Sequence, residues 1–154
     1  MSAAVNIHAT SIVIGTTGLL FVGPSGSGKS ATALHCIAAA RRSGQYAALV
    51  ADDRTSIALA GGHPVASAPS TIRGLIEVRG AAVVGVPVID CALLHYAVRP
   101  LRPPFEERIA PEDETFELLP GRTLLLLRLP LADGLDCFET LEVLMRNRPL
   151  HAPS

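Results

Sequence analysis

The chain has 154 residues with a formal charge of −1, 49% of them apolar and 18% charged; at that size one compact domain can bury a real core without disulfides or metals. Near-neutral charge, 4% aromatics and no Trp leave no electrostatic or stacking footprint for nucleic acid. Neither a basic-then-apolar leader nor a run of about 18 apolar residues is present, so no membrane partner is expected and the chain reads as cytoplasmic. Cys36, Cys91 and Cys137 are widely spaced, odd in number and outside any C-x-x-C pair. They argue against a zinc site or disulfide framework and fit a reducing compartment.

In chain order, residues 11–14 and 19–22 are short apolar β-prone runs around the turn-like Gly15-Thr16-Thr17-Gly18. The second leads straight into GPSGSGKS. Residues 31–42 carry Leu34, Ile37 and Ala38 at helical spacing and stop at Ser43-Gly44. Residues 47–51 (AALVA) have the pattern of a buried strand ending in Asp52-Asp53-Arg54. A further strand is predicted at 55–60, then a turn over Gly61-Gly62-His63-Pro64, with β segments at 72–78 and 82–88. Periodicity leaves 90–98 open between a strand and a short helix. Residues 100–111, rich in proline and charge, read as a loop, 124–129 as a strand and 135–146 as a closing helix. No internal repeat or low-complexity segment interrupts the pattern.

The segment Gly23-Pro24-Ser25-Gly26-Ser27-Gly28-Lys29-Ser30 matches G-x-x-x-x-G-K-S/T in full. Its glycines let backbone N–H groups converge on phosphate oxygens at a helix N-terminus. Lys29 then reaches the outer phosphates, and Ser30 ligates Mg²⁺. Lys29 is also the only lysine, against twelve arginines. Asp52 and Asp53, at the end of the AALVA segment, can divide two roles between them, one holding Mg²⁺ and the other accepting a proton from a hydroxyl nucleophile. Glu77 and Arg79 share a strand face that points to solvent or to phosphates; spacing does not decide. A lone His8 beside a strand reads, from spacing alone, as structural.

Taken together, His8, GPSGSGKS fifteen residues on, VADDR at 50–54 and IEVRG at 76–80 resemble the catalytic domain of HPr kinase/phosphorylase, over roughly residues 8–122. The resemblance implies an α/β, P-loop-containing kinase domain with a mixed, largely β central sheet, similar to the HPr kinase/phosphoenolpyruvate carboxykinase-like fold. It implies transfer from ATP, with Mg²⁺, to a serine of an HPr-type phosphocarrier protein, and reverse phosphorolysis. Carried across, residues 23–30 bind the nucleotide, Asp52 accepts the serine proton, and Ser30, Asp53 and Glu77 serve the metal. His8 joins Lys29 and Asp52 in the active site. Arg108, in Glu107-Arg108-Ile109, stands where the family has an essential arginine on a loop. A hexameric homo-oligomer is implied as well.

Three departures from the family pattern stand out. Ala81-Ala82 replaces the usual Leu-Gly after the EVRG segment. Pro120-Gly121-Arg122 retains only the end of the segment linked to dephosphorylation, which weakens the expectation for the reverse reaction. A single catalytic domain over 1–154 is expected, without the N-terminal domain of many members. Two rival readings share the phosphate loop, a small-molecule or nucleotide kinase and a non-catalytic ATP-binding regulatory module.

Overall fold

The computed structural model describes residues 4–69, 74–78 and 80–148, apart from the side chains of Glu77, Val78 and Val84. Along the chain run β1 (Val5–Ile7), β2 (Thr10–Ile14), β3 (Thr17–Phe21), α1 (Lys29–Arg42), β4 (Ala47–Ala51), β5 (Thr55–Ala60) and β6 (His63–Ser67). They are followed by β7 (Leu75–Val78), β8 (Ala82–Gly85), β9 (Cys91–Leu93), β10 (Tyr96–Leu101), β11 (Thr115–Leu119), β12 (Arg122–Pro130) and α2 (Cys137–Asn147).

A six-stranded sheet, ordered β11-β12-β10-β3-β2-β4, forms the middle layer. Strand alternation sends successive side chains to opposite faces, so the sheet supports two cores. Leu19, Phe21, Leu49, Val98, Leu127 and Leu129 meet Ala33, Cys36 and Ile37 of α1 and Phe138 and Leu141 of α2. Leu20, Val22, Val50, Ala97 and Leu126 face the other way and pack on Ile57 and Ala66 of a four-stranded sheet, β1-β5-β6-β9. The hairpin β7–β8 stands apart as its own two-stranded sheet, with Ile76 buried in the helix-side core.

β3 pairs parallel with β10, and β10 parallel with β12. β2 is antiparallel to both β3 and β4, so β4 runs with β3. Four strands therefore end on one edge. The mixed sheet with helices on one face is the α/β class that the resemblance implies.

Several elements depart from the predicted ones for local physical reasons. The predicted four-residue turn contracts to Gly15-Thr16, and Gly18 belongs to β3 instead. Gly18 is there because the Leu93 carbonyl oxygen lies 1.8 Å from where a Cβ would stand. Likewise the predicted turn at 61–64 shortens to Gly61-Gly62, and His63 and Pro64 open β6, which takes its pairing from β5. The undecided stretch 90–98 splits into β9 and the start of β10. Pro100 and Leu101, predicted as loop, extend β10 along β12, beyond the last β3 pair at Val98; there a missing N–H leaves no β3 acceptor unserved. α1 begins two residues before its predicted start, at Lys29, and α2 two residues after, at Cys137, where Asp136 caps it. The short strands β1 and β11 carry no periodicity and exist through their partners β5 and β12. Residues 72 and 73 of the predicted 72–78 segment lie outside the described residues.

Candidate active site

The common strand edge assembles the site, as expected where neighbouring parallel strands deliver their carboxyl ends to one side of a sheet. From β3 the chain passes through Val22, whose N–H donates to the Val98 carbonyl at 2.9 Å, into the loop 23–28. Gly26 and Gly28 take φ of 82° and 97°, the left-handed conformation that turns successive amides inward. Gly28 is also the N-cap of α1, which has no side-chain cap and no acid in its first turn. Its first amides are left for an anion. The Ser27 hydroxyl is buried with no hydrogen-bond partner among the described residues.

Lys29 is buried and folds back over this loop, its Nζ donating to the Gly23 carbonyl at 2.7 Å and the Pro24 carbonyl at 3.1 Å. Burial lowers its pKa below the usual lysine value, opposed by the nearby Asp53 and Asp52 carboxylates. Ser30 Oγ donates to Asp52 Oδ1 at 2.5 Å, and the same oxygen accepts from Thr10 Oγ1 at 2.9 Å. Asp52 is buried, whereas Asp53 is exposed and bonds His8 Nε2 at 2.6 Å through Oδ1.

Along a regular strand adjacent side chains point to opposite faces; here both acids line one cleft because the strand has ended. Arg54 N–H donates to the Asp52 carbonyl at 2.7 Å, closing a γ-turn with Asp53 at its centre. Asp53 has φ 65°, the one positive φ outside glycine among the described residues. Thr10 Oγ1 steadies the turn by accepting from the Asp53 N–H at 3.2 Å. Such strain persists only where the surroundings enforce it, commonly at a functional site.

A cleft of about 480 Å³ joins these groups; its lining includes Ser25, Gly26, Gly28, Lys29, Ser30, Asp52, Asp53 and Arg102, and it continues along α1 past Leu34 and His35. Of the predicted site residues, Lys29, Ser30, Asp52 and Asp53 thus converge, with His8 bonded to the rim and Gly23 and Pro24 bonded to Lys29. Arg108 is exposed on the segment between β10 and β11 and is not in the lining. Glu77 belongs to β7 of the separate hairpin, and its side chain lies outside the described residues, as does Arg79. Sequence reasoning passed over Thr10 and Arg102. Thr10 has no local pattern, but Arg102 directly follows a parallel strand, at the position where such sheets place ligand contacts.

Among the described residues no three His, Cys, Asp or Glu side chains converge into a metal cage. The oxygens present, a hydroxyl and two carboxylates beside a phosphate loop, are the hard donors that suit Mg²⁺, which takes one or two carboxylates plus phosphate and water. Ser30 and Asp52 or Asp53 would hold it.

Residues 1–90 match the family described as HPr Serine kinase C-terminal domain. The HPr kinase/phosphorylase of Clostridium tetani is 37% identical over 81 residues, 53% of this chain and 25% of that protein. That of Exiguobacterium sp. is 40% identical over 81 residues, 52% of this chain and 24% of that protein. The chain thus spans about a quarter of the length of these curated relatives. The structure of the Hpr(Ser) kinase/phosphatase from Coxiella burnetii superimposes with a TM-score of 0.74 and 25% identity, over 92% of this chain and 88% of that one.

Proposed function

The chain belongs to the HPr serine kinase C-terminal domain family, and from that premise we propose that it transfers the terminal phosphoryl group of ATP, with Mg²⁺, to a serine of an HPr-type phosphocarrier protein. The observation that carries the reading is the bond from the phosphate-loop hydroxyl, Ser30 Oγ, to the strand-end carboxylate of Asp52. It brings a hydroxyl of the glycine-rich loop and a carboxylate together in one cleft, which supports the reading because phosphoryl transfer is mainly positioning and charge neutralisation.

The loop amides and Lys29 bind and orient the polyphosphate. Mg²⁺, when bound, spreads the charge of the transferring group. Asp52 accepts the proton from the serine hydroxyl and returns it if the reaction runs backward with inorganic phosphate. His8 orients Asp53, which with Ser30 supplies metal oxygens. A second assignment follows from exposure: the Asp53–His8 pair faces solvent, where a protein serine would arrive, while Asp52 is tied to Ser30 and Thr10.

The test is incubation with γ-labelled ATP, Mg²⁺ and HPr-type carriers, followed by mapping of the label. Label on a carrier serine supports the reading; label on a small metabolite alone returns the chain to the small-molecule or nucleotide kinases, and no transfer at all leaves an ATP-binding module. Asp52→Asn should lower transfer about 100-fold or more while ATP still binds. If Asp53→Asn shows that loss and Asp52→Asn does not, the proton acceptor is Asp53. Pyrophosphate released from phosphoseryl carrier and excess phosphate would establish the reverse reaction.

A further inference from the structure

We propose that Arg102 is the second cation of the phosphate site, binding the outermost phosphoryl group of the nucleotide; this rests on the ATP reading above and adds a residue to it. Among the described residues the motif-bearing segments contribute one basic side chain to the cleft lining, Lys29, and that ammonium is shared by the Gly23 and Pro24 carbonyls and flanked by two carboxylates. A triphosphate brings more negative charge than one such lysine and the backbone amides match.

Arg102 is placed to supply the difference. β10 lies beside β3 in the sheet and runs parallel to it, so Arg102 leaves the sheet at the edge where the phosphate loop begins. Its approach is fixed up to Leu101, which pairs with Pro130 and accepts the Leu131 N–H at 2.7 Å. The guanidinium then crosses over the loop, with Nη2 3.2 Å from where a Gly28 Cβ would stand. Arg128, by contrast, is held by Glu114 and Glu107, Arg41 by the Ala47 carbonyl and Arg148 by the carbonyls of Pro111 and Glu112. Arg102 makes no hydrogen bond or ion pair among the described residues, and it is exposed at the mouth of an anion-binding cleft.

Its position decides which phosphate it takes. The inner phosphates belong to the loop amides and the α1 N-terminus, which surround them closely. A guanidinium entering over Gly28 from the solvent side meets the group farthest from the nucleoside. Its planar fork can bind two phosphate oxygens at once, which an ammonium cannot.

Titration calorimetry of the full chain with Mg²⁺ and either ATP or ADP tests the assignment without any carrier protein. Arg102→Ala should weaken ATP about tenfold or more and ADP less than about twofold. Arg102→Lys should recover only part of the ATP affinity, and Arg146→Ala, on the exposed end of α2, should match the unaltered chain for both ligands. An unchanged ratio of ATP to ADP affinity in both Arg102 variants, with their unfolding midpoints intact, would overturn the role of Arg102 alone. If the unaltered chain binds neither nucleotide, the ATP reading falls and this assignment falls with it.

Discussion

The two helices begin in opposite ways. α2 opens on Asp136, whose carboxylate accepts the Glu139 N–H at 3.0 Å, and it carries an acid in its first turn. α1 opens on a glycine, with no side-chain cap, no acid in its first turn and a buried lysine as its first residue. Both N-termini present the same orphan amides and the same partial positive charge. In α2 the chain satisfies them itself, so the N-terminus contributes to stability. In α1 they are left open, and the strand edge instead brings cations and carboxylates around them, which is what an anion site with a metal requires.

The strongest way to break this contrast is Lys29→Ala. With the loop ammonium removed, ATP affinity should fall about 100-fold by calorimetry, while the fold survives. Next is Gly28→Ala, which adds a Cβ at φ 97° within 3.2 Å of Arg102 Nη2 and 3.3 Å of Leu131 Cδ1. It should weaken ATP about tenfold and lower stability by about 1–2 kcal/mol in urea, because both the left-handed cap and the guanidinium path are disturbed.

Arg108→Ala, on the exposed loop outside the cleft, should lower transfer with ATP affinity unchanged, the reverse of the Arg102 pattern; equal kcat would make it a surface charge. Asp136→Ala should leave nucleotide binding untouched and destabilise the chain by about 1 kcal/mol, the usual effect of losing a helix cap. The Glu139 amide, with help from His35, holds the Asp136 carboxyl below its ordinary pKa. The cap's contribution is therefore full at neutral pH and disappears as pH falls through that lowered value, so the difference between Asp136→Ala and the unaltered chain should close below about pH 4.

The smallest effect concerns the same helix junction. Cys36, buried in α1, neighbours Cys137, the first residue of α2; the neighbouring thiol and burial push the Cys36 pKa up, while the same neighbour holds that of Cys137 below the usual thiol value. Alkylation by iodoacetamide at neutral pH, mapped by peptide, should mark Cys137 along with the exposed Cys91 and leave Cys36 unlabelled in the folded chain. Labelling of Cys36 at neutral pH would show that the junction opens.

Much of the loop side of the cleft was legible because its pattern is local. Glycines, a lysine and a serine at fixed spacing before a helix specify an anion loop through backbone conformation alone, and AALVA followed by two acids marks a strand end. The 90–98 stretch was not legible, since short strands owe their existence to partners far along the chain. For the same reason Gly18 reads as a turn residue until the Leu93 carbonyl is seen against it.

By itself the sequence determined the glycine-rich loop that opens a helix and the strand end that carries two acids, since each follows from residue types within a short window. Only the tertiary structure decided that Asp52 is buried against Ser30 and Thr10 while Asp53 turns outward to His8, because a γ-turn sets that difference. It also decided which of the described arginines stands over the loop. Twelve arginines are equal in composition, but sheet order places β10 beside β3, and strand direction brings Arg102 to the edge where α1 begins.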